Sequence, residues 1–279
     1  MKNILIPTDF SENSWNAIEY ALQLYKKAKC NIYLLHVVSS MEYLGDDLSL
    51  IPAIDTLEAT VMKDAKTQLQ ALEKRIGLLP FNTRHNFIPM AVHGLFLDTL
   101  RSEVDLKEID IIVMGTKGAS GLKKVVLGSN AGDVITKVHC PVLIVPQDAV
   151  YSNPKEIAFP TDYNIFYGVT ILDKVLEIAS LNNSFVRILH VSKKDEKLND
   201  GQKKNKELLE AYFEGTPHSF HRLTNNKLES ALQNFVESRD INMITMVAKH
   251  LNFFEQILFK PTIEEISYHT KVPFLVLHE

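Results

Sequence analysis

The sequence predicts an α/β protein built from two tandem sandwiches, each a five-stranded parallel sheet flanked by helices. Three observations lead to this prediction: short strands that are apolar throughout, helical periodicity between them, and an internal repeat that covers nearly the whole chain. Strands without polar alternation are typical of a parallel sheet that is covered on both faces. The repeat indicates that the 279 residues form two domains and not one large one.

The first half of the chain alternates strands and helices. A short strand at 3–7 precedes a helix in which Trp15, Ile18, Leu22 and Tyr25 recur at a spacing of three or four residues. We further expect strands at 31–38, 84–88, 111–114 and 142–145, and helices at 56–75, 96–104 and 129–138. Ligands of such sheets bind beyond the carboxyl ends of the strands, so the loops after the first, second and fourth strands are the candidate site.

Three segments of the first half recur in the same order in the second half: 4–10 at 157–163, 35–37 at 189–191, and 142–145 at 274–277. The offsets are 153 (160 − 7), 154 (189 − 35) and 132 (274 − 142), which indicates a tandem duplication with a shorter second copy. We expect domains at 1–147 and 154–279. The boundary is expected within 147–154, a largely polar segment that ends in a proline, as a linker would.

Composition restricts the class of protein. Thirty Lys and Arg against 34 Asp and Glu give a net charge of −4, so we expect no general surface for nucleic acid. The amino terminus becomes polar too early for a signal peptide, and no apolar run approaches the roughly 20 residues that span a bilayer. Two cysteines, Cys30 and Cys140, make no disulfide framework. These features favour a cytoplasmic protein without a membrane partner.

A glycine-rich segment follows the fourth strand. Gly115 and Gly118 are followed, after nine residues, by Gly128-Ser129 at the start of a helix. Glycine permits close approach of the backbone to a ligand, and a helix amino terminus favours an anion. Lys117, Lys123 and Lys124 would offset phosphate charge. The pattern therefore predicts a polyphosphate site, although the same glycines are also compatible with plain turns. A P-loop motif is absent, and no G-x-G-x-x-G follows the first strand.

These segments together resemble the universal stress proteins, in the subset that binds ATP. The resemblance is carried by Pro7-Thr8-Asp9, Leu35-His36-Val37, the glycine signature and the closing segment 141–145. It implies a Rossmann-like fold of the adenine nucleotide alpha hydrolase type with ATP as ligand. The implied nucleotide-binding residues are Pro7, Thr8, Asp9 and Val37 at the adenine and ribose end, and Met114, Gly115, Gly118, Gly128, Ser129 and Asn130 along the phosphates. For Asp9, a cap on the following helix is the alternative role.

The second copy lacks the glycine signature. An offset of 132 places Val247 at the position of Gly115, His250 at that of Gly118, and Lys260-Pro261 at that of Gly128-Ser129. Proline has no amide to donate to a phosphate. We therefore expect one ATP site per chain, accompanied by Mg²⁺ that neutralises phosphate charge, and a structural or interaction role for the second domain.

The leading functional hypothesis is an ATP-binding stress-response protein that acts as a nucleotide-dependent switch or sensor. No catalytic residues and no metal site are predicted, so ATP hydrolysis is expected to be slow and incidental. The alternatives are a weak ATPase or phosphotransferase in the same pocket, and an interaction module without nucleotide.

Further expectations concern packing and assembly. His36 and His190 are expected to be packed or hydrogen-bonded, and the mixed-charge segment 192–207 to be a solvated face. The last strands of the two domains are expected to pair within the chain as a pseudo-dimer. A homodimer and a protein partner remain open.

Overall fold

The computed structural model describes residues 1–39, 54–116, 129–164, 167–192, 197–224, 228–248 and 271–278. These residues form two compact units. The described residues up to Cys140 belong to the first unit, and those from Pro141 onward belong to the second. The domain limits 1–147 and 154–279 come from the repeated sequence, whereas the units follow spatial contacts, so those limits stay a prediction.

The first unit contains four parallel strands with helices between them. Its elements are β1 (Lys2–Pro7), α1 (Glu12–Leu24), β2 (Cys30–Val38), α2 (Ile54–Gly77), β3 (His85–His93), α3 (Phe96–Leu106), β4 (Ile111–Gly115) and α4 (Ser129–Lys137). The strands lie in the order β3-β2-β1-β4, so β1 has β2 on one side and β4 on the other. The order of the strands reverses beside β1, which is where sheets of this type bind ligands.

Burial in β1 confirms that the sheet is covered on both faces. Ile4, Leu5 and Ile6 are consecutive in the strand, so their side chains point to alternating faces, yet none has exposed surface. Helix α1 begins after Ser11, whose hydroxyl accepts a hydrogen bond from the amide of Ser14. Its buried face includes Trp15 and Ile18, as the periodicity predicts.

Strand β3 continues to His93, five residues beyond the expected end at Ile88, because Pro89 does not interrupt it. The amide of Cys30 donates to the carbonyl of Arg84, and the amide of Gly94 donates to the carbonyl of Val38. The backbone amides and carbonyls of even-numbered residues in β3 therefore point toward β2. The nitrogen of Pro89, an odd-numbered residue, points away from β2. Proline is tolerated in a strand when its nitrogen faces the open edge.

The second unit repeats the architecture. Its elements are β5 (Val142–Val145), β6 (Glu156–Pro160), α5 (Val169–Asn182), β7 (Phe185–Ser192), α6 (Asp200–Tyr212), β8 (His218–Thr224), α7 (Leu228–Ser238), β9 (Met243–Val247) and β10 (Phe274–Leu277). The strand order is β5-β10-β9-β6-β7-β8. All described pairs are parallel except β5 with β10, which pair antiparallel with Leu143 opposite Leu275.

Strand bounds agree with the alignment of the two halves of the sequence. Strand β4 (111–115) and β9 (243–247) are offset by 132 residues at both ends, as are β5 and β10. The last residues of β1 and β6, Pro7 and Pro160, are offset by 153 (160 − 7). Val247 therefore stands at the end of its strand where Gly115 stands in the first copy, as the sequence alignment predicts.

Candidate functional site

The candidate site begins with a turn at the carboxyl end of β1. The amide of Thr8 donates to the carbonyl of Leu35 at 2.8 Å, which extends the pairing of β1 with β2 by one residue. Phe10 has a φ of 64°, and its amide donates to Thr8 Oγ1 at 3.0 Å. His36 Nδ1 lies 2.8 Å from the carbonyl of Thr8. Because a carbonyl only accepts, Nδ1 carries the proton and holds the turn against β2.

Asp9 orients the start of α1 but does not cap it. Its Oδ1 accepts from the Ser11 amide at 3.1 Å and from the Ser11 hydroxyl at 2.6 Å. Ser11 is the residue whose side chain caps the helix, by accepting from the amide of Ser14 at 3.2 Å. The alternative role of Asp9 as the cap is therefore wrong, and the Asp9 carboxylate is instead held at the end of β1 in a defined orientation.

A chain of hydroxyl groups joins the turn to α1. Ser14 Oγ donates to the carbonyl of Ser11 at 2.9 Å, so it accepts from Thr8 Oγ1 at 3.0 Å. Thr8 Oγ1 in turn accepts from the amide of Phe10. Thr8 and Ser14 are both buried, so these bonds are shielded from competing water. The first turn of α1 and the end of β1 therefore form one rigid element.

Gly115 brings the end of β4 against that element. A Cβ placed on Gly115 would lie 2.6 to 2.8 Å from the amide atoms of Asn13, which is itself 7% exposed. Contacts that short do not occur in real structures, so any side chain at position 115 would displace Asn13. The glycine is thus required by packing against α1, and it leaves the backbone at the end of β4 without a side chain.

Val37 presents backbone groups beyond the end of β1. The carbonyl of Leu35 points toward β1, where it accepts from Thr8, and the carbonyl of Val38 points toward β3, where it accepts from Gly94. Residues two apart in a strand direct their amide and carbonyl to the same side. The amide and carbonyl of Val37 therefore face the β1 side, past the point where β1 ends at Pro7.

The remaining predicted residues belong to the phosphate end. Met114 is buried in β4, directly before Gly115. Asn130 is exposed in the first turn of α4, and Ser129 is the residue at which that helix begins. Gly118 and Gly128 lie outside the described residues. The structure thus brings Thr8, Asp9 and Gly115 to neighbouring strand ends, and the role of the glycine loop stays a prediction.

Four residues of this turn were not predicted to belong to the site: Phe10, Asn13, Ser14 and His36. The rings of Phe10 and His36 lie 4.5 Å apart between centroids. The repeated sequence contains a signal for this pair, because both copies have an aromatic residue after the Pro-Thr-Asp segment and a histidine in the second strand. Asn13 and Ser14 have no such signal in the repeat.

The equivalent turn of the second unit has the same backbone. The amide of Thr161 donates to the carbonyl of Leu189 at 2.8 Å, and His190 Nδ1 lies 3.0 Å from the carbonyl of Thr161. Tyr163 has a φ of 58°, and its amide donates to Thr161 Oγ1 at 2.9 Å. The expectation that His36 and His190 are hydrogen-bonded in the fold is confirmed in both units.

Side chains cover this second turn. Tyr163 is 2% exposed and stacks on His190 with 4.8 Å between ring centroids. The hydroxyl of Tyr167 donates to Thr161 Oγ1 at 2.7 Å. Burial raises the pKa of both tyrosine hydroxyls well above their usual value. Both hydroxyl groups therefore stay protonated at physiological pH.

Helix α6 closes over the same turn. Gln202 Nε2 donates to the carbonyl of Asp162, and Asn205 Nδ2 donates to the carbonyl of Tyr163, at 2.9 and 2.8 Å. The segment 192–207 was expected to be a solvated face, and that expectation is wrong for these two residues. Their amides are committed to the turn, whereas Lys203 and Lys204 on the same helix are exposed.

The part of the chain that the structure describes contains neither a cluster of metal ligands nor a membrane-spanning helix. No three His, Cys, Asp or Glu residues among those residues are placed to hold a metal ion. None of the described helices is both long enough and apolar enough to cross a membrane.

Comparison with known proteins identifies relatives for the first half and for the whole fold. The model of the universal stress protein family matches residues 1–146. Universal stress proteins MJ0531 and MJ0577 of Methanocaldococcus jannaschii are 31% and 29% identical, each over 52% of this chain and over 81% and 94% of their own lengths. A crystal structure of a universal stress protein from Archaeoglobus fulgidus matches 99% of this chain and 98% of its own, with a TM-score of 0.66 and 21% identity. At that identity the match shows a shared fold across both units.

Proposed function

Because the chain belongs to the universal stress protein family, we propose that its first unit binds one ATP at the carboxyl ends of β1, β2 and β4. In this proposal the nucleotide state of the site is the signal, and the protein acts as a switch or sensor in a stress response. The second unit binds no nucleotide and serves as a structural or interaction domain.

The observation that carries the proposal is the close contact between Gly115 and Asn13. The end of β4 packs directly against the first turn of α1, because Gly115 has no side chain and the Asn13 amide occupies the place that a Cβ would need. Phosphate groups bind where backbone amides are accessible at close range, so this position suits the start of a phosphate loop. Lys117, Lys123 and Lys124 follow within nine residues and supply positive charge.

The other strand ends supply groups of the kind that a nucleoside needs. The backbone amide and carbonyl of Val37 face the space beyond β1, and a donor and acceptor at this spacing suit the edge of adenine. The Asp9 carboxylate, oriented by Ser11, suits the hydroxyl groups of a ribose. Pro7 ends β1 and Thr8 holds the turn, so both act by positioning.

The proposed phosphate end comprises Gly118, Gly128, Ser129 and Asn130. Ser129 begins α4, and the first amides of a helix have no partners within it, so they favour a phosphate. Mg²⁺ would accompany ATP there and neutralise charge on the phosphates.

Identification of the ligand that copurifies with the full chain tests the proposal first. Mass spectrometry of the denatured protein is expected to detect ATP or its hydrolysis product ADP at up to one per chain. Purified protein without nucleotide that also fails to bind added ATP would contradict the proposal and favour an interaction module. Turnover of bound ATP at many cycles per minute would instead favour the alternative of an ATPase or phosphotransferase.

Gly118→Val tests the phosphate loop in particular. A branched side chain at that position should prevent close approach of the backbone, so ATP binding should weaken at least about tenfold, or about 1.4 kcal/mol. Gly77→Ala is the matched control, because a Cβ at Gly77 meets no atom within 4 Å. Unchanged affinity in a folded Gly118→Val protein would remove Gly118 from the site.

We further propose that the pairing of β5 with β10 is the edge contact that an isolated domain would otherwise make with a second chain. Both strands are buried and apolar. Each forms backbone hydrogen bonds with the other, so β5 and β10 cover one edge of each other. A homodimer is then not needed to cover either strand. Two measurements test this pairing. The full chain should sediment as a monomer, and the double variant Leu143→Cys, Leu275→Cys should form a disulfide within one chain.

A further inference from the structure

A pocket lies in the first unit, at the opposite ends of the strands from the proposed nucleotide site. Its volume is about 490 Å³, within the range of small-molecule sites. It is lined by the last two turns of α1, the end of α2, the loop after it and the beginning of β3. Helix α1 reaches from the Thr8 turn to this pocket, a length of about 20 Å at 1.5 Å per residue.

The floor and the mouth of the pocket are apolar. Leu22, Ile76 and Phe87 contribute to the wall, and Phe81 lies at the mouth with 91% of its surface exposed. Leu79 and Pro80, which precede Phe81 in the same loop, also line the pocket. An exposed apolar surface beside a cavity is typical of a place that contacts a ligand.

Polar contacts hold this exposed loop in place. Asn82 Nδ2 donates to the carbonyl of Lys26 at 3.0 Å, and its Oδ1 accepts from the amide of Arg84 at 3.1 Å. The Arg84 guanidinium donates to the carbonyl of Lys27, and His85 Nε2 donates to the carbonyl of Tyr25 at 3.1 Å. The loop is thus anchored to the turn after α1, which keeps Phe81 outward over the cavity.

The charged groups in the wall favour a cation. Glu19 on α1 and Glu73 on α2 are half-buried, and in the part of the chain that the structure describes neither carboxylate has a hydrogen bond or an ion pair within 4 Å, although Glu19 lies close enough to act electrostatically on Arg75. The nearby Arg75 is already engaged by a bidentate contact with Glu12 at 2.7 Å and lies over the Trp15 ring. The remaining charge in the wall is Lys26, which is exposed and solvated.

We propose that this pocket binds a small organic cation: its apolar ring or chain packs on Leu22, Ile76 and Phe87, and its amine faces Glu19 and Glu73. Burial of the apolar part supplies most of the affinity, and the two carboxylates determine the sign of the charge that is accepted. The pocket contains none of the proposed nucleotide-binding residues, so this inference does not depend on ATP binding.

Binding of three matched probes to the isotope-labelled full chain tests the proposal. The probes are 2-phenylethylamine, the neutral 2-phenylethanol and the anionic 3-phenylpropionate, followed through the backbone amide signals of Leu79, Phe81 and Asn82. We expect saturable shifts with the amine, about twofold to fivefold weaker binding of the alcohol, and the weakest binding of the anion. Absence of saturable shifts at these amides, or tighter binding of the anion, would overturn the proposal.

Two variants locate the interaction. Phe81→Ala should weaken the amine and the alcohol alike, by about threefold, because it removes apolar contact from the mouth. The double variant Glu19→Gln, Glu73→Gln should weaken the amine alone and bring it level with the alcohol. Glu207→Gln, an exposed acid on α6, is the control and should change neither. An amine preference that survives the double variant would overturn the role of the carboxylates.

Discussion

The carboxyl ends of β1 and β6 have the same backbone turn in different surroundings. Phe10 and Tyr163 have φ values of 64° and 58°, and in each unit a histidine of the second strand holds the carbonyl two residues earlier. In the first unit Phe10 is only half-buried, and Gly115 leaves the end of β4 without a side chain. In the second unit Tyr163 is buried, and Val247 stands at the strand end where the first unit has Gly115.

This difference shows how two units can keep the same backbone turn while only one of them covers it with its own side chains. The hydrogen bonds that define the turn are retained, because they join adjacent strands and stabilise the sheet. The space beyond the turn is covered in the second unit by its own groups, the Tyr163 ring and the amides of Gln202 and Asn205. The side chains that close the turn therefore contribute to the stability of the second unit, whereas the same place in the first unit is the proposed ATP site.

The largest effect expected from this comparison is the loss of the Tyr163 ring. Tyr163→Ala should cost about 3–5 kcal/mol of unfolding free energy, as expected for a buried aromatic side chain. Phe10→Ala should cost about 1–2 kcal/mol, because the Phe10 ring is partly exposed. Both positions have positive φ, so the backbone effect of alanine is matched. Urea unfolding measures both, and equal costs would contradict the difference in burial.

A smaller effect is expected from the contact of α6 with the second turn. Asn205→Ala removes the donor to the carbonyl of Tyr163 and should cost about 1–2 kcal/mol. Lys204→Ala on the same helix is exposed and should change stability by no more than about 0.5 kcal/mol. Hydrogen exchange of the β6 and β7 amides reports the effect locally. A harmless Asn205→Ala would mean that α6 does not hold the turn.

The smallest effect concerns a polar cluster that distinguishes the edge strands of the two units. Arg187 lies opposite Ser219 on β8, where the first unit has Tyr33 opposite Ile88. Ser219 Oγ contacts His221 Nε2 at 2.7 Å and accepts from Arg187 at 3.1 Å. Burial, together with the charges of Arg239 and Arg187, lowers the pKa of His221 below its usual 6.5.

The sign of the pH dependence follows from that shift. The unfolded chain binds the proton of His221 more tightly than the folded chain, so stability falls as the pH decreases below 6.5 toward the lowered pKa. An NMR titration of the His221 ring in the full chain measures the pKa directly. A midpoint at or above 6.5 would show that burial and the two arginines do not act on this group.

The strands and helices were predictable because each is marked by a pattern that depends on local sequence. Strands β5 and β10 were predicted with their observed bounds, since both are continuous apolar runs between prolines and polar residues. Strand β3 was predicted too short, because Pro89 was expected to end it. A proline interrupts a strand only where the neighbouring strand needs a backbone N–H, and the sequence does not show which strand lies at an edge.

The site was predictable only in part. Gly115 was assigned to phosphate binding, and the sequence contains no sign that Asn13 of α1 excludes a side chain there, because that contact joins residues about a hundred positions apart. Gln202 and Asn205 lie in a charged segment, and only the structure shows that their amides reach the second turn. Contacts between distant segments are the part of the site that local patterns do not encode.

Calorimetric titration of Mg²⁺ and ATP into the full chain tests the central claim most directly. The account predicts about one site per chain, loss of that site in Gly115→Val, and no change in Val247→Gly, which opens only the second unit. The double variant Asn13→Ala, Gly115→Val relieves the clash with Asn13 and keeps a folded protein available for the same measurement. Two equivalent sites in the wild-type chain, or one site of unchanged affinity in folded Gly115→Val protein, would contradict the account.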